Sequence, residues 1–541
     1  MGVSLRTIVM ALGTAAFLPA QSGDELRLCL RADPKTFDPL LAAEEPSETV
    51  RFLTGGVLIR LNRQTQQLEP ELAASWKVRD QGKRIDFVLR PNVRFSDGTP
   101  FGPADVAAVV RRMMDPNLHS PLADSFRTSG DIRAEVTGPD QVSLLFSAPV
   151  AGLELLFDQL AIPSGRPGAS PNAVLGPFMV AEFKGGQYVL LRRNPHYWKT
   201  DSSGRKLPYL DALRLDIQAN RETELLRFRR GEIHLVDKME PEAYDRLRKE
   251  TPNAVRDAGP SLDAEFFWFN QSPAAAYPAY KRKWMESRLF RRAISAAVNR
   301  DDIIRLVYHG YARPAAGPAS PGNPLWVNSN LRPQPYDPQA ARELLRRDGF
   351  RLDGETLRDR DGNAVEFSLI TNASSTTRTQ IGTLLQQDLR KIGIRLNFTP
   401  MEFQSLIERI TRTQQYEVCL LGLSNTDIDL PNAQMDIWLS SGALHPWSPS
   451  EPKPATTWEA AIDTLMQTQH SAMDHRARKA AFDRVQEIIA EEAPIVYLVF
   501  PDVLVGVAPS VRNAAPSALP QHLTWNIESL WLAGAGERRK N

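Results

Sequence analysis

Cysteine is nearly missing from this chain: its 541 residues hold two, Cys29 and Cys419. That rules out a disulfide framework, which needs an even-spaced set. Both lie in apolar runs and read as buried, inert thiols; a bridge between them needs an oxidising compartment and a proximity that sequence does not supply. Charge of one sign is lacking too. Lys and Arg number 65 against 64 Asp and Glu, a net +1. A nucleic-acid-binding surface needs a clear basic excess, so that class is set aside. The apolar run from Thr7 to Leu18 is too short to span a bilayer. Signatures of catalysis are missing: no Gly-x-Ser-x-Gly elbow, no His-Glu-x-x-His helix and no Gly-x-x-x-x-Gly-Lys loop occurs. The eight histidines are scattered, and His470 and His475, five apart, do not share a helical face as a metal pair would. The expectation is a protein that is not an enzyme and has no metal and no cofactor.

What is present points to a large globular protein. The length exceeds one ordinary core, so two or more lobes are expected. A hydrophobic share of 42% and a charged share of 24% fit a soluble globular chain, and 41 prolines favour loops and edge strands. Residues 1–20 read as a secretory signal peptide: Arg6, an apolar stretch, then Leu18-Pro19-Ala20 before a polar segment. The mature chain is expected to start near Gln21, without a lipid-bearing cysteine. Cys29 stands in the wrong context for one.

The most legible stretch is 84–106. Ile85, Phe87 and Leu89 alternate with Asp86, Val88 and Arg90, the period of a half-buried strand. Pro91-Asn92 breaks it, Val93 and Phe95 suggest a short second strand, and Asp97-Gly98 supplies a turn. Pro103 and Asp105 then open a helix that runs through Met114. Further on, 288–300 shows apolar residues on one helical face, 339–347 a helix after Asp337-Pro338, 378–391 a helix closed by Gly393, and 476–490 a long helix. Helices alternate with strands such as 367–370 and 394–398, the pattern of an α/β lobe.

These residues resemble the family 5 extracellular solute-binding proteins, the peptide-binding components of ABC importers. Their stretch F-x-L-R-x-x-V-x-F-x-D-G-x-P-x-x-x-x-D-V is matched by Phe87, Leu89, Arg90, Val93, Phe95, Asp97, Gly98, Pro100, Asp105 and Val106. The segments 68–76, 190–198, 336–349 and 494–498 resemble further family motifs in order. Departures are Phe37 for a usual Leu, and His234 and Asn299 where Asp is common.

The resemblance implies an α/β, two-lobed periplasmic-binding-protein clamshell with a discontinuous first lobe and an extra small inserted domain. It places lobe 1 at 21–68, 173–262 and 506–541, the inserted domain at 69–172 and lobe 2 at 263–505. It implies a periplasmic, monomeric protein that captures di- or oligopeptides between its lobes and hands them to the membrane permease of an ABC importer. An oligosaccharide, opine or nickel chelate is the alternative solute; an exported enzyme or chaperone on the same scaffold is a further one.

The candidate ligand segment is 422–432, a loop after the apolar strand 418–421, where α/β lobes usually present ligands. In the resembled family an Asp in a D-Y-x-D-P segment pairs with the peptide ammonium. Asp427 aligns best with it and Asp429 competes, although Ile428 replaces the Tyr and Leu430 separates Asp429 from Pro431. The competing reading is that both only form turns. Asn425 lies in the same loop. Trp438, Trp447 and Trp525 either line the cleft or belong to the core. No basic residue stands out as partner for a ligand carboxylate.

Overall fold

The computed structural model describes residues 24–127, 131–164, 173–424 and 427–533. The expected signal peptide lies outside them. Leu26, Leu28 and Leu30 bury one face of the strand Glu25–Leu30, which pairs in parallel with Ala212–Ile217. Tyr188–Arg193 and Phe178–Lys184 continue this sheet antiparallel. Its core reaches Val503 to Val507 and Val255.

A second, wholly antiparallel sheet orders its strands Ala73–Arg79, Arg84–Leu89, Gln141–Phe146 and Ile132–Gly138. The stretch read as strand, turn and helix lies here. The strand Arg84–Leu89 and the helix Pro103–Met113 form as expected, with Asp105 accepting from the Gly102 amide. Gly98, at φ +84, takes the left-handed turn position that side chains resist. Val93 and Phe95 form no strand of their own; only an isolated bridge joins Arg94 to Pro100. Helix and sheet enclose Phe87, Phe95, Val106 and Val110 in a separate core, which also takes in Leu40, Leu58 and Ile59.

The third sheet has eight strands. Leu235–Val236, Ile495–Val507, Ala264–Phe269, Val418–Leu423, Glu366–Asn372 and Arg395–Met401 form its path, and Val255–Pro260 and Ala312–Pro314 also pair with Ile495–Val507. The last of the path pairs in parallel with Glu366–Asn372 across the helix Thr376–Arg390, a βαβ unit. Phe267, Phe290, Phe367 and Ile381 fill its core.

The segment 494–498, matched above only as a family motif, opens the 13-residue strand Ile495–Val507. Val496, Leu498 and Val499 belong to the core of the large sheet, while Val503, Leu504 and Val505 belong to that of the first. The change falls at Pro501, which has no N–H to donate. Its carbonyl accepts from Ser261, and the next amide, Asp502, donates to Tyr311. Ser261 lies between Val255–Pro260 and Ala264–Phe269, so two strand paths cross between the bodies side by side.

The helix expected over 288–300 is two helices, Arg288–Ala297 and Arg300–Leu306. Val298 is extended, and Asn299 caps the second helix by accepting from the Asp302 amide. An Asn side chain that satisfies the next helix's free N–H stops the first. Cys29 and Cys419 are free thiols in different sheets. No helix among the described residues is long and apolar enough to cross a membrane.

Candidate functional site

Loops from all three bodies enclose a cavity of about 620 Å³, in the range of small-ligand sites. The first body contributes Leu28, Leu30 and the helix start at Glu44, Glu45 and Glu48. The small one contributes Leu122, Asp158 and Gln159. The crossing segment contributes Ser261, Leu262 and Asp263, and the loop after Val418–Leu423 contributes Ser424, Asp427 and Ile428. Leu61, Leu262, Ile428 and Leu519 pack into an apolar seam along one wall.

The lining carries eight carboxylates (Glu44, Glu45, Glu48, Asp158, Glu224, Asp237, Asp263, Asp427) against three cations (Arg51, Arg63, Lys238). The cations are already engaged. Arg63 lies 2.8 Å from Asp158, Arg51 binds Glu48 and the Gln159 carbonyl, and Lys238 lies 3.4 Å from Asp263. Burial opposes ionisation of Asp158, yet Arg63, Arg60 and the Leu61 amide bring its carboxyl below the usual range. Glu224 is bound by Arg31. Glu44, Glu45, Asp237 and Asp427 form no ion pair among the described residues; Glu44 is instead held by the Lys35 and Ser47 amides and the Ser47 hydroxyl.

Asp427 is held only by neutral donors. Its Oδ1 accepts from the Asp429 amide at 2.8 Å, and its Oδ2 lies 3.5 Å from Nε2 of Gln159 on the opposite wall. Burial pushes its carboxyl above the ordinary value; those hydrogen bonds only partly oppose this, and Asp158 adds to it. A carboxylate so placed gains from an incoming cation.

The other residues singled out from sequence lie elsewhere. Asp429 is buried and bound by Arg478, with Asn432 donating to its Oδ2. Burial raises its carboxyl to about 6 against the pull of Arg478. Trp438 and Trp447 are 1% and 0% exposed in the core beneath the loop, and neither borders the cavity. Their indole nitrogens donate to Gln434 and Glu459. Trp525, half-buried, donates to the Ala515 carbonyl. Of the alternatives left open by sequence, the core position is the one Trp438 and Trp447 occupy. Asn425 lies outside the described residues. The sequence reading did not single out Glu45, Asp237 or the Arg63–Asp158 pair. They come from separate loops and share no motif.

Two α/β bodies joined by paired crossing strands, with a mixed-polarity cavity between them, define a two-lobed clamshell binding protein. The family model for bacterial extracellular solute-binding proteins, family 5 (middle), matches residues 67–445, and the chain belongs to that family, the solute-binding components of ABC importers. It is 24% identical over 524 residues to a probable ABC transporter-binding protein of Deinococcus radiodurans, covering 88% of this chain and 87% of the relative. Among solved structures, NikA from Brucella suis in complex with Fe(III)-EDTA superposes with a TM-score of 0.79 at 21% identity, covering 94% and 99% of the two chains. The oligopeptide-binding protein AppA of Bacillus subtilis, in complex with a nonapeptide, gives 0.68 at 22% identity, covering 95% and 99%. At these identities the structural likeness establishes the fold alone.

Proposed function

We propose that this protein captures short peptides by their α-ammonium group and delivers them, as a periplasmic monomer, to the permease of an ABC importer. The observation that carries the reading is Asp427: a carboxylate on the cavity wall, raised by burial and without a cation partner among the described residues. A ligand ammonium meets its charge and offsets the surplus of lining carboxylates. The lining cations are all paired, so a ligand carboxylate finds no free counterpart; the peptide is held by its amino end. Extended backbone then lies between the lobes in strand-like hydrogen bonding. The names of relatives, an oligopeptide-binding protein among them, support the peptide class. The fold neighbour holding a metal chelate marks the competing one.

Mass spectrometry of solute co-purifying with the protein identifies the peptide to use. Calorimetry on wild type and Asp427→Asn, each with that peptide and its N-acetylated form, makes a double-mutant cycle. Breaking a sealed charge pair costs about 2–5 kcal/mol, roughly 30-fold to several-thousand-fold in affinity. Acetylation is expected to weaken the wild type by that factor and to add little in the variant. Simple additivity of the two losses removes Asp427 as the partner. Acetylation without effect on the wild type overturns amine recognition itself. C-terminal amidation is expected to leave affinity nearly unchanged.

A further inference from the structure

Away from the cavity, beneath the surface loop that precedes the helix Thr457–Ser471, three potential metal ligands converge: His445, Glu451 and Glu459, all buried, with ligand atoms within 4.8 Å of one another. His445 is 1% exposed. Its Nδ1 lies 2.9 Å from the Ile437 carbonyl, so that nitrogen carries the proton and Nε2 presents a lone pair. Nε2 has no hydrogen-bond partner, and neither has Oε2 of Glu451, a residue 8% exposed. Unpartnered buried polar atoms are costly and rare.

The remaining contacts orient the group. Glu459, in the first helical turn, accepts from the Trp447 indole at 2.7 Å and from the Thr456 amide and hydroxyl. Glu451 is held by the Ser448 side chain and the Ala455 backbone. A His fixed by a carbonyl behind it and carboxylates fixed by donors behind them are the usual outer supports of metal ligands. The two carboxylates face each other across the imidazole, and neither forms an ion pair among the described residues.

We infer that His445, Glu451 and Glu459 form a structural site for a first-row divalent cation that clips the 440–456 loop to the helix Thr457–Ser471. One nitrogen and two carboxylate donors suit zinc, which holds such ligands at about 2.0–2.2 Å; the three ligand atoms, within 4.8 Å of one another, would draw together around it. The ion would neutralise both carboxylates and take the lone pair of Nε2. The site is independent of the peptide reading, since none of its residues borders the cavity.

The test is zinc content. Wild-type protein stripped with EDTA, incubated with ZnCl₂ and passed over a desalting column is expected to retain about one zinc per chain by mass spectrometry of the metal. Glu451→Gln is expected to bind zinc at least about tenfold more weakly, and Asp427→Asn to bind as wild type. Zinc is expected to raise the unfolding temperature of wild type but not of Glu451→Gln. Without zinc, Glu451→Gln is expected to unfold no earlier than wild type, because one of two facing charges is gone. Wild type that retains no zinc has only water between these groups, and the inference fails whether or not the variant folds. Zinc lost with Asp427→Asn but kept with Glu451→Gln belongs to the cavity and overturns it equally.

Discussion

Arg478 grips Asp429: its Nη2 lies 2.7 Å from one carboxylate oxygen and 2.9 Å from the other, both side chains buried. The guanidinium also lies 4.9 Å from the centre of the Trp326 ring, and its Nε donates to the Gln469 carbonyl. Of two aspartates two residues apart, one is therefore committed to holding the loop on the helix His475–Glu492, and the other is left facing the cavity.

Asp429→Ala is expected to cost stability. Removing one member of a buried pair strands the other charge, typically at about 3–5 kcal/mol. Urea unfolding of the variant should show a lowered midpoint. A midpoint equal to wild type would mean that the pair contributes nothing.

Asp427 should give binding a pH dependence. Its carboxyl is raised by burial and must be ionised to hold an ammonium group. As pH falls through that raised value, proton competition weakens peptide binding, by up to about tenfold per unit. Calorimetry over a pH series should show this slope in wild type and lose it in Asp427→Asn. The ligand-free protein behaves oppositely: a raised folded value means stability is gained as pH falls.

Asp502 sits where the long strand passes between cores. It is buried, with Arg313 3.3 Å away. Burial, helped by Asp257, raises its carboxyl from 3.8 to about 6. The charged form is thus penalised in the folded state above that pH, and stability rises as pH falls from 6 towards 3.8. Asp502→Asn is expected to stabilise the protein above pH 6 by about 1–2 kcal/mol after discounting for solvent screening. The gain should vanish in acid. Thermal unfolding against pH checks both limbs.

Lobe closure should be visible in solution. Two crossing strand paths and an apolar seam of Leu61, Leu262, Ile428 and Leu519 give a joint and a surface that closing buries. A ligand shifts this equilibrium only by binding the closed form more tightly. Small-angle scattering should show the radius of gyration falling at saturation in wild type. Ile428→Asp places a charge in the seam and should hold the lobes apart while weakening binding. An unchanged radius in wild type at saturation argues against closure.

Local chemistry was readable in the sequence. The Asp97-Gly98 turn, the cap at Asp337 and the helix stop at Gly393 each depend on atoms within a few residues, and each formed as the pattern implied. Alternation in Arg84–Leu89 and the helix start at Pro103 are of the same kind. The order of such signals sufficed for the family and the clamshell fold. The helix Thr457–Ser471 went unforeseen, because its apolar stripe is weak and its N-terminal capping box, Thr456 with Glu459, carries the start instead. Tertiary structure decided the rest. Whether Asp427 or Asp429 faces the cavity depends on Arg478, 49 residues further along than Asp429, and the two lie in the same kind of turn sequence. Trp438 and Trp447 look equally suited to cleft or core until the packed face is known. Asp237, Glu45 and Asp427 share one cavity only because folding brings loops distant in sequence together. Turns and caps are settled by neighbours along the chain. Burial, pairing and the sharing of a site are settled by residues that meet only after folding.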